Sequence, residues 1–115
     1  MNGFTKEQVL SFVEGAKQEA NQAARKFFQE KLGGRDQFAC GFAWVTIYKV
    51  KGSTKLGKAL IEAGFRKSYT GGLQLWNPSG LHVQNVNTLE AGAEAAAEYL
   101  KVTLGVEAYA GSRLD

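Results

Sequence analysis

The run FACGFAWVTIYKV, Phe38 to Val50, constrains this chain more than any other segment. It is rich in β-branched and aromatic residues and has no helical period. It therefore reads as a strand, the first of the chain, buried on both sides. Such a strand needs partners along its edges and apolar cover on its faces.

Cover is offered by three segments with helical patterning. In the first, Thr5 and Gln8 have the spacing of a capping box, and Phe4 and Val9 that of a hydrophobic staple. Val9, Val13, Ala16, Ala20, Ala23 and Phe27 then form one apolar stripe, which Gly33-Gly34 ends. A short second helix is expected after Ser53 or Thr54, with Leu56, Ala59, Leu60 and Ala63 inward and Gly64 as its stop. Asn87 or Thr88 is expected to start a third, with Leu89, Ala93, Ala96, Ala97 and Leu100 on one face and Gly105 at its end.

Edge partners come from GGLQLWNPSGLHVQNV and VEAYAG. The first alternates, breaks at Asn77-Pro78-Ser79-Gly80 and alternates again, which predicts a hairpin. The second predicts a last strand. The order is a helix followed by βαββαβ, and right-handed crossovers close it most simply into a ferredoxin-like antiparallel sheet. The expected fold is thus α+β, one domain over 1–115, with an N-terminal helix over 1–34 and a βαββαβ core over 38–115. A chain of 115 residues has room for one such core and no second. A short echo, Gly64-Phe65 leading to Tyr69-Thr70-Gly71 and Gly105-Val106 leading to Tyr109-Ala110-Gly111, is compatible with two βαβ-like halves.

Strand alternation sorts the side chains. Ala43, Val45, Ile47, Leu73, Leu75, Leu81, Val83, Val106 and Ala108 form an aliphatic set suited to the Ala-rich helices. The opposite set holds Phe42, Trp44, Thr46, Tyr48, Gln74, Trp76, His82, Gln84, Glu107 and Tyr109. Rings mixed with hydrogen-bonding groups mark a face that binds something, unless the first helix or a second subunit lies across it.

The stretch GSTKLGK, Gly52 to Lys58, has the outline of a phosphate loop. The magnesium-holding hydroxyl after the lysine is replaced by Ala59, and no later strand ends in an Asp. The segment reads instead as a capped helix start, where free N–H groups beside Lys51, Lys55 and Lys58 suit an anion. Charge supports this: Lys49 to Gly72 carry six bases against Glu62, whereas the chain from Leu73 onward is acidic, within a net +3.

One cysteine and one histidine leave no thiolate or imidazole metal cluster. Cys40 reads as a small buried filler rather than a nucleophile, and His82 as a hydrogen-bonding side chain without an orienting carboxylate. The tail YAGSRLD reads as a solvated end in which Arg113 offers a planar fork to an anion. No apolar run approaches the roughly 18 to 20 residues that cross a bilayer, and no secretory leader is visible. A cytoplasmic protein is expected.

The blocks CGFAWV (Cys40 to Val45), STKLGKAL, SYTGGLQLW and AYAGSRLD together resemble a set of short proteins encoded by tailed bacteriophages and found in environmental sequences. The likeness runs from about Ala39 to Asp115 and leaves out the first helix. It implies a setting, a phage accessory protein in the cytoplasm of an infected bacterium, and brings no residue roles.

The functional expectation is a binding module, not an enzyme, without cofactor or metal. Its ligand would be a small anion such as a nucleotide, or a host or phage partner. Trp44, Tyr48, Trp76, His82 and Tyr109 would form the surface, and Lys51, Ser53, Thr54, Lys55 and Arg113 the anion contacts. A homodimer is expected because the helix stripe and one sheet face both need cover. The alternatives are single-stranded nucleic acid on the open face, a small enzyme using His82 or Cys40, and a purely oligomeric role. Against the first stands the lack of an RNA-recognition signature strand.

Overall fold

A computed structural model describes residues 3–36, 39–68 and 71–115. It is α+β: α1 (Lys6–Leu32), β1 (Gly41–Tyr48), α2 (Lys55–Glu62), β2 (Arg66–Lys67), β3 (Leu73–Trp76), α3 (Val86–Leu104) and β4 (Glu107–Leu114). The four strands form one antiparallel sheet in the order β2-β3-β1-β4.

The capping box predicted for α1 is present. Gln8 N donates to Thr5 Oγ1 (3.1 Å) while Thr5 N donates to Gln8 Oε1 (2.9 Å), and Gly33 closes the helix in the left-handed conformation. The buried stripe runs Val9, Val13, Ala16, Ala20, Ala24 and Leu32, so it passes through Ala24 where Ala23 and Phe27 were expected. The cause is the partner: α1 packs along α3, and small residues fill the seam. Gly92 of α3 lies so close to Ala20 O and Ala24 Cβ that a side chain there would sit 3.0 and 3.4 Å from them. Phe4, at the expected staple position, packs against the core that includes Val9 and also meets Phe12 edge-on at 5.5 Å.

Three polar contacts fix α1 further. Lys6 pairs with Glu62 (3.4 Å), Lys17 Nζ donates to Ala63 O at the end of α2 (3.3 Å), and Asn21 Nδ2 donates to Ser79 O after β3 (2.9 Å). The long helix thus lies with α2 and α3 on the helical side. It does not lie across the aromatic face, which answers one question the sequence left open. One core joins Val13, Ala16 and Ala20 with Val45, Ile47, Leu73, Leu100 and Ala108.

β1 is shorter than the predicted run, and it is buried on one face, not two. Ala43, Val45 and Ile47 point into the core, whereas Phe42 and Tyr48 are exposed. Phe38 lies outside the described residues, as do Tyr69 and Thr70 of the internal echo.

The predicted hairpin does not form. The turn is there, with Gly80 N donating to Asn77 O (3.1 Å), but LHVQ beyond it is a loop. The edge of β3 meant for it is taken by β2, through Arg66↔Gln74 and Lys67↔Leu73. Both edges of β1 are also filled, by β3 and by eight residues of β4. The loop backbone pairs instead with the start of β1 and the chain before it: Gly41 N donates to Gln84 O, Val86 N to Ala39 O, and the Asp36 carboxylate accepts from Gln84 N and Asn85 N. Leu81 and Val83, placed on an inward strand face by the sequence, are half-buried loop residues. Val106 is half-buried just ahead of β4.

Two boundaries move. Asn85 caps α3 in place of Asn87 or Thr88, accepting from Thr88 N at 2.8 Å. β4 continues to Leu114, so the expected solvated tail is a paired strand. Among the described residues, no helix is long and apolar enough to cross a membrane.

Candidate binding face

The exposed face of the sheet is organised by register. Phe42 stands opposite Arg113, Trp44 lies between Trp76 and Gly111, Thr46 between Gln74 and Tyr109, and Tyr48 opposite Glu107. Alternation puts all of these on the side away from the helices.

Gly111 decides how the rings lie. A side chain on it would come within 2.5 to 2.9 Å of Trp44 Nε1, Cε2 and Cζ2, so the indole rests flat over the backbone of β4. Trp76 then stacks on Trp44 with centroids 4.7 Å apart and planes inclined by 31°, and Phe42 meets Trp76 edge-on at 6.1 Å. Trp76 Nε1 donates to Gln74 Oε1 (3.2 Å), two residues along the same strand face. At the other end Tyr48 and Tyr109 lie 6.0 Å apart. Between the two groups Thr46 is covered, only 4% exposed, while the outer rings stay open: Phe42 38%, Tyr48 42%, Trp76 47% and Tyr109 50%.

Cations border both groups. The Arg113 guanidinium sits 5.4 Å from the Phe42 centroid and 5.9 Å from that of Trp76, and Lys101 Nζ is 4.9 Å over Tyr109. Lys49 pairs with Glu107 at 3.0 Å. The hydrogen bond to that carboxylate and its charge hold the lysine pKa above its ordinary value, so Lys49 stays cationic through neutral pH.

Beyond Tyr48 the chain turns sharply, with Lys49 in the left-handed region (φ 64°). It borders a cavity of about 710 Å³ lined by Phe4, Tyr48, Lys51, Thr54, Lys55 and Leu56 among others. Thr54, not Ser53, is the cap of α2: its Oγ1 donates to Lys51 O (2.7 Å) and accepts from Gly57 N (3.1 Å). Gly57 is pressed against the backbone of Lys51, so the apparent phosphate loop is closed on itself.

Of the ten expected site residues, Trp44, Tyr48, Trp76, Tyr109 and Arg113 share the open face, and Lys51, Thr54 and Lys55 meet Tyr48 around the adjoining cavity. Ser53 is exposed ahead of the helix and caps nothing. His82 is on the loop after β3 and not on a strand; it shares a groove of about 360 Å³ with Cys40, Phe42 and Trp76. Cys40 is exposed, contrary to the buried filler expected, because it precedes β1 at an isolated bridge to Asn85. Its Sγ contacts Gln84 Oε1 at 3.7 Å. The Asp36 carboxylate accepts from Gln84 N, Asn85 N and Asn85 Nδ2 and does not line this groove.

Compared with models of protein families, with curated proteins and with solved structures, the chain finds no match.

The face also holds residues that sequence reasoning did not place in the site. Phe42 was visible, since it alternates with Trp44. Gly111 and Lys101 carried no local signal: the glycine matters only once β4 is set beside Trp44, and the lysine reaches Tyr109 from α3.

Proposed function

We propose that this protein is a non-enzymatic binding module that receives an anionic ligand with planar rings, a nucleotide in the first instance, on the aromatic face of its sheet. The observation that carries the reading is the union of the Trp44–Trp76 stack with Arg113 above the neighbouring rings. Ring faces attract a flat heteroaromatic group by stacking, and a guanidinium beside them meets a phosphate through its planar fork. The cavity walled by Tyr48, Lys51, Thr54 and Lys55 adjoins this face and favours the same sign of ligand.

We read the fold as ferredoxin-like with an added N-terminal helix. That reading is supported by the βαββαβ succession after α1 and by the antiparallel order β2-β3-β1-β4. The phage resemblance suggests an accessory protein acting on a component of the infected bacterial cytoplasm. A homodimer that covers part of the face is compatible with these roles.

The test is titration of intrinsic tryptophan emission with AMP, GMP, TMP and CMP. Quenching that saturates, and that weakens at least about tenfold in Arg113→Ala, is the expected result. Emission unchanged by all four nucleotides removes the reading.

A further inference from the structure

The binding face is built as two stations, not one pocket. Phe42, Trp44 and Trp76 make the first, with Arg113 above it. Tyr48 and Tyr109 make the second, with Lys101 above it. Trp44 and Tyr48 are four residues apart on β1, which places the stations about 13 Å apart at about 3.3 Å per residue. Between them lies Thr46, only 4% exposed, with Gln74 and Tyr109 as its strand neighbours.

This geometry distinguishes among anionic ring ligands. A site for a small molecule encloses most of its ligand, roughly 70–90% of the surface. Here the rings stand open in succession across the two central strands and an edge strand. That arrangement suits an extended chain of bases, each laid on a ring in turn, with its phosphates passing between fixed cations. The border is mainly complementary in sign: Arg113 and Lys101 flank the stations, Arg66 occupies the row of Gln74, and Glu107 is paired with Lys49, while Asp115 lies at the far end beside the groove of Phe42 and Trp76.

We infer that the occupant of this face is single-stranded nucleic acid, stacked on the Trp44–Trp76 station and the Tyr48–Tyr109 station at once. The inference rests on the nucleotide reading above and names its ligand class. A signature strand of the RNA-recognition kind is not required, because what stacking needs is rings on the central strands, and register supplies them.

The experiment compares TMP and UMP with oligothymidylate and oligouridylate of about eight nucleotides, read by tryptophan quenching and by anisotropy of a labelled oligomer. An oligomer of either sugar is expected to bind at least about tenfold tighter than its mononucleotide, because it adds a second stacked base. Its affinity is expected to fall with salt on a log–log slope of about −1.4 to −2, as for two or three phosphates. In Tyr48→Ala/Tyr109→Ala the oligomer advantage should vanish while mononucleotide quenching of the tryptophans persists. Quenching by mononucleotides without tighter oligomer binding overturns the inference and leaves the nucleotide reading standing. Quenching by neither overturns both. Light scattering that shows a dimer dissociated by Trp76→Glu, with no oligomer binding to either form, assigns the face to a second copy of this chain and also overturns the inference.

Discussion

Asn85 is 1% exposed, and both polar atoms of its side chain are engaged. Oδ1 accepts from Thr88 N (2.8 Å) and Nδ2 donates to Asp36 Oδ1 (2.9 Å), so one residue caps α3 and anchors the chain that enters β1. Asn85→Ala is expected to cost about 2 kcal/mol, from the lost cap that leaves Thr88 N unpaired and the lost bond to Asp36, seen as a fall in Tm of roughly 8 °C. The Asp36 carboxyl titrates below its ordinary value, chiefly through the Asn85 side chain and then the Gln84 N–H. A group depressed in the folded state stabilises above its unfolded pKa, and that contribution disappears as pH falls through the folded one. The Tm gap between the native protein and Asp36→Asn should therefore be full at pH 7 and close as pH drops below about 4. A gap that stays constant from pH 7 to pH 3 would contradict this role. None of it was legible in the sequence. Asp36 lies about fifty positions from its partners, and only the path of the loop brings them together.

The α1–α3 seam is the most extensive contact between elements. Ala16, Ala20, Ala93 and Ala96 are fully buried there, and Gly92 lets the helices approach. Small residues permit such closeness, and the seam has no slack for a larger side chain. Ala20→Leu is expected to destabilise by about 2 kcal/mol through overpacking, read as a lower urea midpoint at unchanged m-value. An unaltered midpoint would show that the seam is looser than this. All three helices were legible, because caps and apolar period are local signals: Thr5-Gln8 and Gly33 bound α1 as predicted. β2 and the LHVQ loop were not. A two-residue strand has no pattern of its own, and alternation alone does not reveal that an edge is already occupied.

At the scale of the molecule, one core is closed on one side by helices, and the other sheet face is left open. Val9, Val13 and Ala16 of α1 belong to the same cluster as Val45, Leu60 and Leu100. A chain beginning at Arg35 should therefore lose cooperative thermal unfolding, because the removal of α1 uncovers α3 and the end of α2. A sharp two-state transition in the truncated protein would show that α1 is dispensable. The open face follows from this division of labour, since a helix committed to α3 is not available to cover Trp44 and Trp76. By itself the sequence determined the α+β class, the presence of the three helices, the limits of α1, and the strand at β1 with the two-faced sorting of its side chains, all through local periodicity and caps. Eight of the ten residues singled out from the sequence lie on the face or around its adjoining cavity. Only tertiary structure decided the rest: which strand pairs with which, that Arg113 stands on a strand above Phe42, that Gly111 makes room for an indole, and that His82 leaves the sheet. Those outcomes depend on edges competing for partners and on volume shared between segments far apart in the chain, and neither is written in any local pattern.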